Sequence, residues 1–357
     1  MSVMSTAVFD PLTEDLEQAL LRLEDDWERF RGASLFMTGG TGLFGRWLLE
    51  ALTYANRLRG LDLEITVLSR NPQDFAARAP HLASDPAVTL LAGDVRDFVF
   101  PDRSYDLLIH GAATSAEETF RGERPLAKFD TLVHGTRHVL DFAVRADVGR
   151  LLFLSSGSAY GASGLERTPE TYAGAPDTTN PDSALGEAKR AAELLVTCYA
   201  REHGLECVIA RCFSFVGPFL PLDIHYAIGN FIRHALWDDA VTIQGDGTPE
   251  RSYLYMADLV VWLLALLDRG QKGRIYNVGS DRGIAIRDLA DLVRSVVAPG
   301  KPVVVLGLAS GSVGNEVRNR YVPDITRARE ELGLDVWTDL ETAIGRTAAS
   351  VLRTVRI

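Results

Sequence analysis

The stretch LFMTGGTGLFGRWLLEAL, Leu35 to Leu52, constrains this chain more tightly than any other. Four apolar or β-branched residues lead into Gly39. Gly39, Gly42 and Gly45 then recur at three-residue steps, and a helical pattern opens at Leu43 and Phe44. A strand that must turn at once into a helix needs residues without a Cβ at the turn. The first turn of the helix then leaves N–H groups and a partial positive charge facing the loop, which suits a pyrophosphate. In strand–turn–helix context this spacing predicts a dinucleotide site on Gly39, Gly42, Leu43, Phe44 and Gly45.

The rest of the chain extends that unit. Short apolar runs (EITVLSR, VTLLAGD, DLLIHGAA, RLLFLSSGSAYG, CVIARCFSFVG) alternate with helical patterns such as TLVHGTRHVLDFAVRA and AKRAAELLVTCYAREHG. The runs are continuously apolar rather than alternating, as strands covered on both faces are. This predicts an α/β fold, a doubly wound parallel Rossmann sheet with a smaller, partly interleaved C-terminal substrate lobe. The expected divisions are a helical extension over 1–32, a dinucleotide-binding domain over 33–217 plus about 250–280, and a substrate lobe over 218–249 and 281–357. In the extension, Leu16, Leu20, Leu23, Trp27 and Phe30 form one stripe, predicting a single amphipathic helix over 11–30.

Composition narrows the function classes. The 357 residues carry a net charge of −11, with no basic field to attract nucleic acid. Cys198, Cys207 and Cys212 form no CxxC pair and read as free thiols of a reducing compartment. The start has no basic, apolar signal pattern. The stretch LVVWLLALL is nine residues long, against the roughly 20 a membrane span needs. A cytoplasmic protein without a membrane partner or a bound metal is expected.

The second strand run ends in Ser69 and Arg70, where an acid would read an unmodified ribose. The cofactor is therefore NADP or NAD, with Arg70 favouring the 2′-phosphate of NADP. Asp94, after the third run, is placed to accept a bond from the adenine. Ala112, in HGAA, supplies the small side chain needed beside the dinucleotide. His110 reads as structural.

In their order, TGGTGLFG, AGD, HGAA, SSGSAYG, the KRAAE helix, RCFSFVGP and GDGTPERSYLYMADL resemble the extended short-chain dehydrogenases/reductases. More narrowly, they resemble the NAD-dependent epimerase/dehydratase group that modifies nucleotide-diphosphate sugars. The resemblance runs from about Ala33 to Leu340. It implies a Ser or Thr that holds a sugar hydroxyl, a Tyr that takes its proton, and a Lys that binds the nicotinamide ribose. Matched by motif, the serine is Ser156 and the lysine Lys189. The tyrosine position holds Leu185, in PDSALGEAKRAAELL. On the substrate side it implies Ser156, Ser158, Ser214, a diphosphate clamp at Arg251, and a further phosphate contact at Arg318 or Arg320.

Leucine neither accepts a proton nor donates a hydrogen bond, although it suits a helix. Three readings stay open: an enzyme of this group whose turnover is impaired, one in which Tyr160 or a water replaces the base, or a cofactor-binding pseudoenzyme. A reductase of a non-sugar carbonyl is the rival enzyme. The resemblance places an Asp-Glu pair after the catalytic Thr in dehydratases, and a Glu in the same loop in decarboxylases. Here Gly157 and Ser158 follow Ser156, favouring 4-epimerisation or simple oxidation/reduction. Family members pair two helices per subunit, which implies a homodimer through TLVHGTRHVLDFAVRA and EAKRAAELLVTCYAREHG.

Overall fold

The computed structural model describes residues 11–113, 118, 122–224, 226–307 and 320–354. Its strands are β1 (Ser34–Thr38), β2 (Glu64–Ser69), β3 (Val88–Ala92), β4 (Leu107–His110), β5 (Arg150–Ser156), β6 (Glu206–Cys212), β7 (Phe215–Val216), β8 (Val241–Ile243), β9 (Glu250–Arg251), β10 (Leu254–Tyr255), β11 (Ile275–Val278), β12 (Ile284–Ala285), β13 (Val303–Val305) and β14 (Arg320–Tyr321). Seven of them form one sheet in the order β11-β6-β5-β4-β1-β2-β3. Every pairing in it is parallel. The chain order reverses between β1 and β4, and ligands of such sheets bind beyond the carboxyl ends of the strands at that reversal.

The continuous apolar runs have a direct physical cause. On β1, Leu35 and Met37 enter one core, while Phe36 enters the other. Alternate residues leave a strand on opposite faces, so a sheet covered on both sides needs both sets apolar. One face is covered by α1 (Pro11–Arg22), α2 (Leu43–Arg59) and a later helix, Met256–Arg269. Short helices α3 (Pro72–Arg78) and α4 (Pro80–Ala83) follow β2. The other face is covered by α5 (Pro125–Arg145) and α6 (Ala184–His203).

The C-terminal part adds α7 (Ala227–Trp237), α8 (Met256–Arg269), α9 (Ile286–Val297), α10 (Thr326–Leu332) and α11 (Leu340–Thr354). The apolar stretch LVVWLLALL lies in α8, which is buried on all sides from Met256 to Leu267. No described helix is long and apolar enough to cross a membrane. A three-stranded sheet, β12-β9-β14, brings residues 250–251 and 320–321 together.

The N-terminal segment differs from the single helix expected over 11–30. α1 ends at Arg22, and a 3-10 turn spans Asp26–Phe30. The break lets Leu23, Trp27 and Phe30 all reach the main core, and the Trp27 indole donates to the Leu20 carbonyl across it at 3.0 Å. Polar bonds fasten α1 as well. The Tyr255 hydroxyl donates to Asp15 at 2.5 Å, and Arg346 pairs with the same carboxylate. Asp15 is 1% exposed. Burial raises its pKa from 3.8 to about 6, against the opposing pull of Tyr255 and Arg346.

A raised acid pKa means that the folded state binds the proton more readily than the unfolded chain. Stability from this group is therefore fullest below about pH 4 and is lost as pH rises from about 4 to 6. Urea unfolding of the native chain and Asp15→Asn across this range checks it. Relative to the uncharged variant, the native chain should lose on the order of 3 kcal/mol between those limits, and parallel pH profiles would contradict the assignment.

Candidate functional site

The glycine turn is built so that side chains cannot enter it. Gly39 has φ +76°, and a Cβ there would lie 2.5 Å from the Gly111 carbonyl group. A Cβ on Gly45 would lie 2.3 Å from the Gly40 Cα. The β1 and β4 loops thus touch backbone to backbone, and α2 starts directly against the turn. Gly42 caps α2 in an extended conformation without a side-chain bond. The N–H groups of Leu43 and Phe44 are therefore left to an outside acceptor. The cradle fits a dinucleotide pyrophosphate. Ala112 is held beside it by its N–H bond to Thr38 Oγ1, at 3.1 Å.

At the outer end of the cleft, Ser69, Arg70 and Asp94 come together at the ends of β2 and β3. Ser69 is buried and accepts the Asn71 N–H at 3.2 Å. The Asp94 carboxylate takes two bonds from the Arg96 guanidinium, at 2.8 and 2.9 Å, and one from the Arg96 N–H, at 2.9 Å, which hold it below its usual range. Arg70 is engaged too: its guanidinium donates to both oxygens of Glu118, at 2.8 and 3.2 Å. Glu118 was not singled out from the sequence.

Ser156 ends β5, half-buried at the carboxyl edge of the sheet. The N–H and the hydroxyl of Ser158 both donate into its Oγ, at 3.1 and 2.8 Å. The hydrogen of Ser156 is thereby left to point at another acceptor. Gly186 of α6 abuts this loop so closely that a Cβ would lie 2.6 Å from the Ser158 carbonyl oxygen. Position 185 is thus seated beside the Ser156–Ser158 loop, and half-buried Leu185 stands there. Three residues on from Gly186, Lys189 is 4% exposed and donates to the Leu154 carbonyl at 2.6 Å. Burial lowers its pKa to about 8, with Cys212 and Glu193 opposing.

Other candidate bases near the cleft are occupied or shifted out of range. The Tyr160 hydroxyl donates to Asn277 Oδ1 at 2.7 Å, and burial pushes its pKa up to about 12. It stands inside the protein and does not replace a base at 185. His110 lies between Thr38 and Thr136, at 2.7 and 3.0 Å, and burial drops its pKa to about 3. It is neutral and structural. Burial pushes the Cys207 and Cys212 thiols up to about 12. Behind the loop, Arg211 grips Glu193 through bonds of 2.9 and 2.5 Å, and Ser155 donates to the same carboxylate.

Ser214 lies half-buried between β6 and β7, and its carbonyl accepts the Leu254 N–H at 3.0 Å. Arg251 is half-buried on β9 and donates to the Glu250 carbonyl at 2.7 Å. Arg320 is exposed and pairs with Glu250. Arg318 lies outside the described residues. Sequence reasoning passed over two aromatic residues here. Phe213 and Tyr321 pack with ring centroids 4.6 Å apart, and both press on Gly157. Tyr321 stands in the same NRYVPD segment that drew attention for its arginines.

Residues 35–279 match the NAD dependent epimerase/dehydratase family. The chain is 30% identical to UDP-glucuronic acid decarboxylase 6 of Arabidopsis thaliana, over 84% of this chain and 83% of that protein. It is 28% identical to the dTDP-glucose 4,6-dehydratase of Streptomyces antibioticus, over 88% and 91% of the two chains. Among solved structures, the UDP-glucose 4-epimerase of Thermotoga maritima with UDP-glucose superposes with a TM-score of 0.76 at 24% identity, over 90% of this chain and 99% of that one. The dTDP-glucose 4,6-dehydratase of Streptomyces venezuelae, with NAD bound, gives 0.75 at 24% identity, over 90% and 97%. The two structures share this fold.

The seat of position 185 can be tested through its neighbour. Gly186→Ala should force the helix off the Ser158 carbonyl and cost about 1–3 kcal/mol, as overpacking does. Urea denaturation checks this, and an unchanged midpoint would mean that the helix does not press on the loop.

Proposed function

Because the chain belongs to the NAD-dependent epimerase/dehydratase family, we propose that it binds NAD and a nucleotide-diphosphate sugar and works at the sugar's C4 position. The reaction is 4-epimerisation or a simple oxidation/reduction through a C4 ketone, slowed by Leu185. The observation that carries this reading is Ser156, whose Oγ accepts two bonds from Ser158 and so keeps its own hydrogen for another acceptor, in the loop that Gly186 abuts.

When bound, the dinucleotide supplies the hydride acceptor and donor. The residues of the chain do the remaining work. The N-terminus of α2 holds the pyrophosphate, and Ala112 leaves room beside it. Ser69 and Asp94 line the adenosine end. Arg70, held by the Glu118 carboxylate, no longer offers a free fork to a 2′-phosphate, and a carboxylate there repels one. This supports NAD over NADP. Ser156 donates to the sugar oxygen that becomes the ketone, with Ser158 and Ser214 beside the sugar. Lys189 holds the nicotinamide ribose. Arg251 clamps the diphosphate, a role suited to a planar guanidinium; Arg318 is a second phosphate contact.

The segment from Ser156 to Tyr160 contains no acid, so the loop has no carboxylate to assist loss of water or of carboxyl. Homodimer formation through α5 and α6 is supported by Leu126 and Leu194, apolar residues 77% and 64% exposed on those helices. A cytoplasmic setting agrees with the buried free thiols.

A missing general base costs about 10²- to 10⁴-fold in rate. Leu185→Tyr should raise turnover, by up to that factor, with one member of a panel led by UDP-glucose, UDP-glucuronate and dTDP-glucose, with NAD and NADP run in parallel. Reduced-nicotinamide absorbance and NMR of the sugar check it. Dinucleotide binding without turnover by either form, on any sugar nucleotide, would favour a cofactor-loaded pseudoenzyme. Arg251→Ala should weaken calorimetric binding of the accepted sugar nucleotide by about 1.5–3 kcal/mol. Unchanged affinity would point to the reductase of a non-sugar carbonyl instead.

A further inference from the structure

Gly157 sits between Ser156 and Ser158, and the space above it is taken. A Cβ there would lie 2.7 Å from the Tyr321 hydroxyl oxygen and 2.9 Å from two atoms of the Phe213 ring. The phenol of Tyr321 thus reaches from the C-terminal lobe to the residue that joins the two serines. Tyr321 is half-buried, with its ring against Phe213. It is carried there by β14, which pairs in register with β9 and sets Tyr321 opposite Arg251.

Among the described residues, the groups nearest the loop are poor proton acceptors. Ser156 already accepts two hydrogen bonds and is a poor base. Leu185 has no polar atom. Tyr160, His110 and Cys212 are buried with their acidities moved away from neutrality. Lys189 is bonded to the Leu154 carbonyl. Among the groups just named and Tyr321, it is the phenol of Tyr321 whose oxygen stands against Gly157.

We propose that Tyr321 carries out the proton transfer that Leu185 cannot. In the oxidative step the tyrosinate of Tyr321 removes the proton from the sugar hydroxyl that Ser156 holds. The O–H bond breaks, C=O forms, and the C–H electron pair leaves as hydride to NAD. The alcohol is oxidised, NAD is reduced by two electrons, and Tyr321 ends as the phenol. On the return step the hydride comes back to carbon and the phenol returns its proton to oxygen. On the paired strands, Glu250 and Arg320 bind each other. This proposal rests on the nucleotide-sugar reading above.

The test uses the full chain labelled with ¹³Cζ-tyrosine. The Tyr321 resonance is assigned by its loss in Tyr321→Phe. Adding UDP-glucose, UDP-glucuronate or dTDP-glucose, with no dinucleotide present, should move that resonance. Single-turnover nicotinamide reduction by Tyr321→Phe should fall at least 100-fold below the native chain, with calorimetric affinity for the sugar nucleotide within about threefold. The double variant Leu185→Tyr/Tyr321→Phe should regain the rate, since a phenol is restored at 185. If a sugar nucleotide binds but the Tyr321 resonance stays still, or Tyr321→Phe turns over at the native rate, the proposal is overturned while the nucleotide-sugar reading stands. A native chain that is inert while Leu185→Tyr is active overturns it in the same way. If none of the three probes binds, the nucleotide-sugar reading falls and the role of Tyr321 falls with it.

Discussion

The site depends on a buried ion pair. Arg211 on β6 and Glu193 on α6 are joined by two bonds, both side chains under a tenth exposed. Bringing such charges out of water is expensive, and losing one partner would strand the other, at a cost of about 3–5 kcal/mol. The pair is completed on every side. Ser155, next to Ser156, donates to Glu193. The Arg211 guanidinium lies 4.3 Å from the centre of the Tyr160 ring. Tyr160 donates to Asn277, whose amide donates to the Thr168 and Asp324 carbonyls at 2.8 and 2.9 Å. One connected network therefore spans β5, α6, β6, β11 and the segment that follows β14. Geometry at Ser156 and geometry at Tyr321 are set by the same polar scaffold.

That scaffold explains why a leucine at 185 is tolerated by the fold. The features that place this helix turn are Gly186 against the Ser158 carbonyl, Lys189 on the Leu154 carbonyl, and Glu193 on Arg211. None involves the side chain at 185. A base could be lost there without loosening its surroundings, because those surroundings are held from behind and not from the cleft.

Much of this was legible in the sequence, where local chemistry dictates the outcome. Strands buried on both faces must be apolar throughout, so their runs stood out. The glycine turn is dictated by backbone contact distances, and its spacing betrays it. Ser156, Lys189 and position 185 stand out in the sequence only through the resemblance of their short motifs to a family pattern. What was not legible depends on the third dimension. The helix expected over 11–30 breaks after Arg22, and Trp27 and Phe30 are buried from the 3-10 turn that follows it. Arg70 reads as a phosphate ligand in the sequence, whereas in the fold Glu118, 48 residues away, occupies its fork. Tyr321 reaches Gly157 across 164 positions of chain, which no spacing rule connects.

The most informative residue is Gly157, because it has no side chain. A loop that carries an acid after its serine or threonine has a built-in proton handler. Here a side chain at that point is excluded by Phe213 and Tyr321. The volume such a handler would fill is given to a phenol from another lobe. Leu185 carries no hydroxyl and position 157 has no side chain, while a tyrosine hydroxyl stands against the same three-residue loop. Acid–base chemistry requires a group of suitable acidity at the reacting oxygen and does not specify which element must deliver it. On the proposed reading the helix supplies the frame, and β14 supplies the hydroxyl.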